Sequence, residues 1–462
     1  MVMFGSLAST LKSRLLAASI LSCLAVAGAP VASADEKTVV KVAYSADYVM
    51  STPEMAKSWF AGIKAGFEKL HPDVTVELVP IAGGFDDLNT KLSLMYNNPT
   101  AAPDVAQVAA QEAGQWAGSD VLAPLDDRVK TSSWWSSFPD PIKLEGTIGG
   151  KVYAVSEGVN TTALLYDRTV FKKAGLPDDW KPKNWEDILV AARAIKKSSP
   201  DVWPIWLLTG TAQGSEGVVL GGAGLMAGSS DPNFYNEKDG KWVVDSKGLR
   251  EVFNFYRQAS AEGLLAPSSQ ILNANGPGIL SPFMPKHKIG ISLAGNYIPQ
   301  TFNKEICGPC WDDAATDIGF APIPTSHGQA PGIASSFGGW DLVLYKKSAH
   351  PDIAWQLIDF MQQKDNMLVV DNYAGFNPPI PAFNSEKIFI DFAPAFQEKF
   401  ARLVPIAQSP PANVDYKVWA FAFAQATETL VLKPNTSVDD AINMMKTYVS
   451  GQLDADKIEI RK

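Results

Sequence analysis

Apolar positions along the chain switch between a period of two and a helical period, and the switching predicts the fold class. A β-rich run over residues 39–44 is followed by Ser51-Thr52-Pro53, a hydroxyl cap ahead of a proline at the first helical position. Met55, Trp59, Phe60, Ile63, Phe67 and Leu70 then recur at helical spacing until His71-Pro72-Asp73 stops the run. Residues 74–81 alternate as a strand, 86–96 read as a helix and 103–108 as another strand. This succession is the grammar of a parallel α/β sheet, since parallel strands need a crossover that a helix supplies.

The elements shorten over 120–155, with Gly149-Gly150 at a turn, and the α/β pattern resumes at an apolar, β-branched strand over 160–166 followed by an apolar run over 171–176. Asn184 caps a helix whose inner face is Ile188, Ala191, Ala192 and Ile195, with Asp187 three residues after the cap and Lys196-Lys197 at the negative end. Residues 204–208 and 289–293 read as further strands of a second lobe that starts near residue 160. Short β runs fill 317–344, an amphipathic helix follows over 352–361, and the tail from 418 is helical. A chain of 462 residues exceeds the size at which one core keeps growing, which fits two lobes.

The first residues read as an address. Lys12 and Arg14 precede an apolar stretch too short for a membrane span, and Ala32-Ser33-Ala34 offers a small-residue cleavage site before Asp35. Ile20-Leu21-Ser22-Cys23 gives the competing lipoprotein reading, against which the apolar run continues past Cys23. Without residues 1–34 the chain has 38 basic and 49 acidic side chains, a net charge of −11 that disfavours nucleic acid and anionic membrane surfaces. Cys307-Gly308-Pro309-Cys310 has the form of a thioredoxin-type dithiol. It runs into Trp311-Asp312-Asp313, whose charges would raise a thiol pKa, so a structural disulfide between Cys307 and Cys310 is the expectation for an exported chain.

Several strings, taken in order, resemble one family. They are Phe67-Glu68-Lys69-Leu70-His71-Pro72-Asp73-Val74, Ala102-Pro103-Asp104-Val105, Gly149-Gly150-Lys151-Val152-Tyr153-Ala154, Leu165-Tyr166-Asp167, Asn184-Trp185-Glu186-Asp187, Gly338-Gly339-Trp340 and Ser348-Ala349-His350-Pro351-Asp352. The set resembles the extracellular solute-binding proteins of ABC importers, in their maltose-binding-protein-like, carbohydrate-binding branch. The resemblance implies an α/β, two-lobed periplasmic-binding-protein fold with hinge segments and a ligand cleft between the lobes. Residues 35–158 plus 337–383 would form lobe one, and 159–336 plus 384–462 lobe two. It further implies a periplasmic monomer without cofactor or metal, which closes on a mono- to trisaccharide or sugar derivative and delivers it to an inner-membrane permease.

Site residues follow from the same resemblance. Asp47, between Tyr44 and Tyr48, suits either accepting sugar hydroxyls or capping its loop. Gln111 and Glu112 stand where relatives hold sugar hydroxyls with a charged pair, and Asn160 where they have a sugar-binding acid. Thr211, Gln213 and Ser215 replace an acid and an aromatic platform. Tyr297, and Trp340 after Gly339, are the expected stacking faces, since an aromatic ring suits the apolar C–H face of a sugar. Phe376, Asn377, Trp419 and Phe421 complete the set. These loops hold no Arg or Lys, which disfavours a strongly anionic ligand. Two rival classes are a carbohydrate hydrolase, for which Glu157 and Asp47 are isolated carboxylates and no Gly-x-Ser-x-Gly elbow exists, and a redox protein built on the two cysteines.

Overall fold

The computed structural model describes residues 37–273, 276–302, 310–392 and 396–461. Strand β1 (Thr38–Ser45) leads into helix α1 (Pro53–Leu70), whose cap Thr52 accepts from the Met55 amide at 3.2 Å. Next come β2 (Val74–Ile81), α2 (Phe85–Tyr96), β3 (Val105–Ala109), α3 (Ala110–Gly118) and α4 (Asp140–Glu145). Strands β1, β2 and β3 are parallel, with β1 in the middle. Gly149 and Gly150 both take positive φ, as a tight hairpin turn demands, and join the paired residues Ile148 and Lys151.

The second part begins within β4 (Ala154–Asp167) and continues through α5 (Trp185–Ser198), β5 (Trp203–Trp206), α6 (Lys247–Ala261), β6 (Ile289–Gly295) and β7 (Ile318–Ala321). The chain returns along β8 (Ile333–Leu344) to α7 (Pro351–Met361) and α8 (Lys364–Ala374), then ends on α9 (Tyr416–Leu432) and α10 (Val438–Ser450). Helix α6 was not anticipated. Its cap is Ser246, and Leu249, Val252, Phe253, Tyr256 and Ala259 lie on its buried face.

The main sheet runs β2-β1-β3-β8-β4-β6-β5, and two long antiparallel strands carry it across the molecule. The first half of β4 pairs with β8, as in Gly338 opposite Asn160. Its second half pairs with β6, as in Leu293 opposite Leu164. Strand β4 starts six residues before the expected 160, because Ser156, Glu157 and Gly158 are poor strand formers held in the ladder by β8. Opposite Trp340 and Asp341 stand Gly158 and Ser156, which leaves Glu157 as the extra residue of a β-bulge.

Buried apolar side chains form separate cores on either side of this pair. One core gathers Val42, Phe60, Val105 and Val155 with Leu342, Ile358 and Phe376, and it includes Val404 and Ala407 from the late chain. On the other side, Tyr166, Ile195, Phe253 and Leu293 pack with Trp419 and Met445, and a smaller cluster centres on Leu165, Trp206 and Ile298. Cys23, the expected cleavage site at Ala34 and Cys307 lie outside the described residues. Cys310 is disulfide-bonded.

Candidate functional site

The β4–β8 pair is the floor on which the two lobes meet, and polar side chains tie it together. Asn296, just past β6, accepts from the Thr161 amide at 2.8 Å and donates to the Gly375 carbonyl at 2.6 Å, so one side chain ties β4 to the turn that follows α8. Val159 exchanges two backbone hydrogen bonds with Asn377, and the Asn377 amide donates to Thr161 Oγ1 at 3.2 Å. Thr162 and Ser336 share a hydroxyl contact of 2.6 Å between β4 and β8. Gly339 is required here by contact distance, since a Cβ on it would stand 2.2 Å from the Gly158 carbonyl oxygen.

On the lobe-one wall, Tyr48 and Trp340 lie with ring centroids 6.2 Å apart, and Phe85 adds a third ring at 6.3 Å from Tyr48 and 6.2 Å from Trp340. Trp340 is only 6% exposed, while Tyr48 is half-buried. Asn160, half-buried on β4, has a buried Oδ1 that accepts no hydrogen bond among the described residues. Gln111 is buried at the start of α3, and Tyr297 is half-buried where the chain leaves β6.

Glu112 bridges the lobes. Its carboxylate is fully buried, accepts from the Ser215 hydroxyl at 2.8 Å and stands 2.7 Å from the Lys417 ammonium. Two anticipated contacts, Glu112 and Ser215, thus bind each other, and the partner that joins them was missed. Lys417 sits in the first turn of α9, outside the loops noted for holding no Arg or Lys, so the cleft does contain a cation.

Beside this bridge the cleft opens into a cavity of about 670 Å³. Gly114 and Gly118 of α3, Leu144 and Glu145 of α4, and Thr147 to Gly149 of the hairpin form one wall. Tyr235 and Glu237 form the opposite wall, Phe337 lies at the base and residues 408–414 run along the edge. Burial first, then the charge of Asp341, pushes the Glu145 carboxyl well above the usual carboxylate range. Burial likewise raises Asp341 to about 7 and Glu157 to about 8, the latter despite a hydrogen bond from Gln107.

Other expected contacts lie elsewhere, each for a packing reason. Tyr44 stacks on Phe60 at 3.7 Å within the lobe-one core, which uses the face a sugar would need. Asp47 accepts from the Gly83 amide at 3.0 Å, as its loop-capping reading requires. The Thr211 amide and hydroxyl both donate to Glu428 at 2.8 Å. Phe376 is 1% exposed and packs where a Gly158 side chain would be, and Asn377 serves the crossing. Trp419 is fully buried, donates to the Val243 carbonyl at 2.7 Å and stacks on Phe423, so it is a core residue and no platform. Phe421 points to the outer side of α9, against Tyr448 at 5.0 Å. The side chain of Gln213 lies outside the described set. Among the described residues no group of three or more His, Cys, Asp or Glu side chains could hold a metal ion.

The chain is similar to an arabinooligosaccharide-binding protein of Bacillus subtilis, 23% identical over 337 residues that cover 70% of this chain and 69% of the relative. It is also similar to a maltodextrin-binding protein of the same organism, 25% identical over 90% of this chain and 92% of that one. In fold it resembles the maltose-bound structure of a T. maritima protein with a TM-score of 0.72 at 19% identity, over 90% of this chain and all of that one. A family model described as bacterial extracellular solute-binding protein matches residues 51–368, more than half of the chain, and with two cores joined by crossing strands around a cleft the protein belongs to that family.

Proposed function

We propose that the protein captures a saccharide in the cleft between its lobes and passes it, chemically unchanged, to the permease of an ABC importer. The observation that carries this reading is the aromatic wall of Tyr48, Phe85 and Trp340 beside β4, where Asn160 keeps a buried acceptor without a donor. A ring face for sugar C–H groups, with a polar atom that needs a hydroxyl, is the usual make-up of a mostly apolar site with a few placed polar groups. The relatives that bind arabinooligosaccharides and maltodextrin support a sugar as the ligand class. Closure of the lobes about β4 and β8 then buries the ligand and presents a surface for the permease.

On the same reading the export signal is removed after Ala34, the mature chain works as a periplasmic monomer, and the lobes are 35–158 plus 337–383 and 159–336 plus 384–462. A hydrolase is not favoured, because of its two candidate carboxylates Asp47 accepts from the Gly83 amide at 3.0 Å and Glu157 is buried against Gln107. Thermal-shift screening against neutral sugars, polyols and oligosaccharides tests the proposal, since a ligand bound only by the folded state raises the melting temperature by mass action. A hit with micromolar affinity corresponds to about −8 kcal/mol. No stabilisation by any saccharide, or release of reducing ends from a bound one, overturns it.

A further inference from the structure

Glu145 is the last residue of α4 and stands in the wall of the 670 Å³ cavity with 4% of its surface exposed. Among the described residues the one donor that reaches its carboxyl is the Ser409 hydroxyl, whose nearer partner is the Pro410 carbonyl at 2.9 Å, and neither carboxyl oxygen has a partner of ordinary hydrogen-bond geometry. Its charged surroundings are of its own sign. Asp341 of β8 acts on it as a like charge, and Glu237 lines the cavity from the opposite lobe.

The lysines at this end of the cleft are engaged elsewhere. Lys417 holds Glu112 at 2.7 Å, and Lys457 holds Asp415 at 2.8 Å. Lys143, on the same helix as Glu145, lies 4.0 Å from Asp140 with its ammonium 6.0 Å over the Trp135 ring. Among the described residues no Lys, Arg or His lines the cavity. A buried carboxyl with one shared hydroxyl donor and no counter-charge is costly, and a cation brought by a ligand is the group that relieves it. An ammonium offers three donors to such an acceptor, whereas an acidic sugar would meet two carboxyls. Leu144, Ile148, Phe337, Val414 and Tyr235 supply apolar surface for a sugar ring.

We infer that this cavity is a subsite for an amine-bearing saccharide unit, with Glu145 as the counter-ion of its ammonium. The inference rests on the saccharide-capture reading and narrows it to a ligand class. Calorimetry at pH 6, in two buffers of different ionisation enthalpy, compares amine and hydroxyl isosteres: glucosamine with glucose, galactosamine with galactose, and the β-1,4 dimer of glucosamine with cellobiose.

The expected result is that at least one amine member binds tenfold or more tightly than its isostere and releases up to one proton. Glu145→Gln removes both the preference and the proton release but keeps the affinity for the neutral isostere and the melting temperature. Equal or tighter binding of every neutral isostere overturns the inference and leaves the saccharide reading standing. A preference that survives in Glu145→Gln overturns it as well, and failure of both proteins to bind any saccharide overturns the inference and the reading together.

Discussion

Glu112 and Lys417 meet at 2.7 Å across the cleft, one from α3 of the first lobe and the other from α9 of the second. The carboxylate is fully buried and has a second donor in Ser215, while the lysine side chain is 46% exposed. The pair therefore ties the lobes together at this point, since separating them would expose the Glu112 carboxylate and part it from Lys417 and Ser215.

Replacing Lys417 by Ala should loosen this closure. Removing one partner of a buried pair costs about 3–5 kcal/mol, and because Lys417 is half-exposed we expect about 1–3 kcal/mol, as water recovers part of the loss. The unliganded variant should show a larger radius of gyration by small-angle scattering than the wild type, and the Glu112→Gln/Lys417→Met double variant should regain most of the lost stability. An unchanged scattering profile with an unchanged melting temperature would remove this tie between the lobes.

The aromatic wall separates binding from folding at two neighbouring residues. Trp340 is almost fully buried in the lobe-one core, so Trp340→Ala should cost about 3–5 kcal/mol of stability and lower affinity at once. Tyr48, half-buried on the same cluster, should lose affinity tenfold or more on replacement by Ala with a much smaller change in melting temperature. Equal affinity of Tyr48→Ala and wild type for the sugar found by screening would take this wall out of the site.

These two rings also mark how far the sequence could be read. Helix α1 and strand β2 follow from apolar spacing and from the Thr52 cap, which are local, and the structure has them at Pro53–Leu70 and Val74–Ile81. Strand β4 was half-legible, because its half beyond Asn160 is apolar and β-branched while Ser156, Glu157 and Gly158 are held only by β8, far later in the chain. The site was less legible for the same reason. Trp419 and Phe421 are helical aromatics two residues apart, and only the packing of α9 against Val243 and Tyr448 decides that one is core and the other outer surface. Lys417 lies in the first turn of α9, one residue before the helical tail expected from 418, and nothing local to it announces Glu112. No alternation rule identifies Glu145 either, since the cavity wall in which it stands is completed by residues far along the chain, 408–414 among them.

At the crossing, Gly158 and Gly62 make a matched pair of glycine tests. A Cβ on Gly158 would stand 2.1 Å from the ring of Phe376, itself 1% exposed, whereas nothing lies within 4 Å of a Cβ on Gly62 in α1. Gly158→Ala should cost about 2 kcal/mol or more by overpacking, and Gly62→Ala should gain about 0.5–1 kcal/mol from helix propensity. Urea midpoints distinguish the two, and like-signed shifts would refute the close packing of the crossing strands.

The buried acids predict how stability depends on pH. Glu157, the bulged residue of β4, has its pKa raised by burial from 4.5 to about 8, and Asp341 from 3.8 to about 7. Between the unfolded and folded values the unfolded chain is ionised while the folded carboxyl stays protonated, so unfolding releases a proton and stability falls as pH rises. The contribution is complete below the unfolded pKa, is lost across the window up to about 7 for Asp341 and 8 for Glu157, and changes little beyond it. Each group then adds a slope of up to about 1.4 kcal/mol per pH unit. The urea midpoint should therefore drop from pH 5.5 to pH 7.5. Glu157→Gln, which keeps the shape without the proton, should reduce that drop and be more stable than wild type at pH 8.5. A variant with the same pH slope as wild type would mean that Glu157 is ionised in the folded protein, and that the hydrogen bond from Gln107 outweighs its burial.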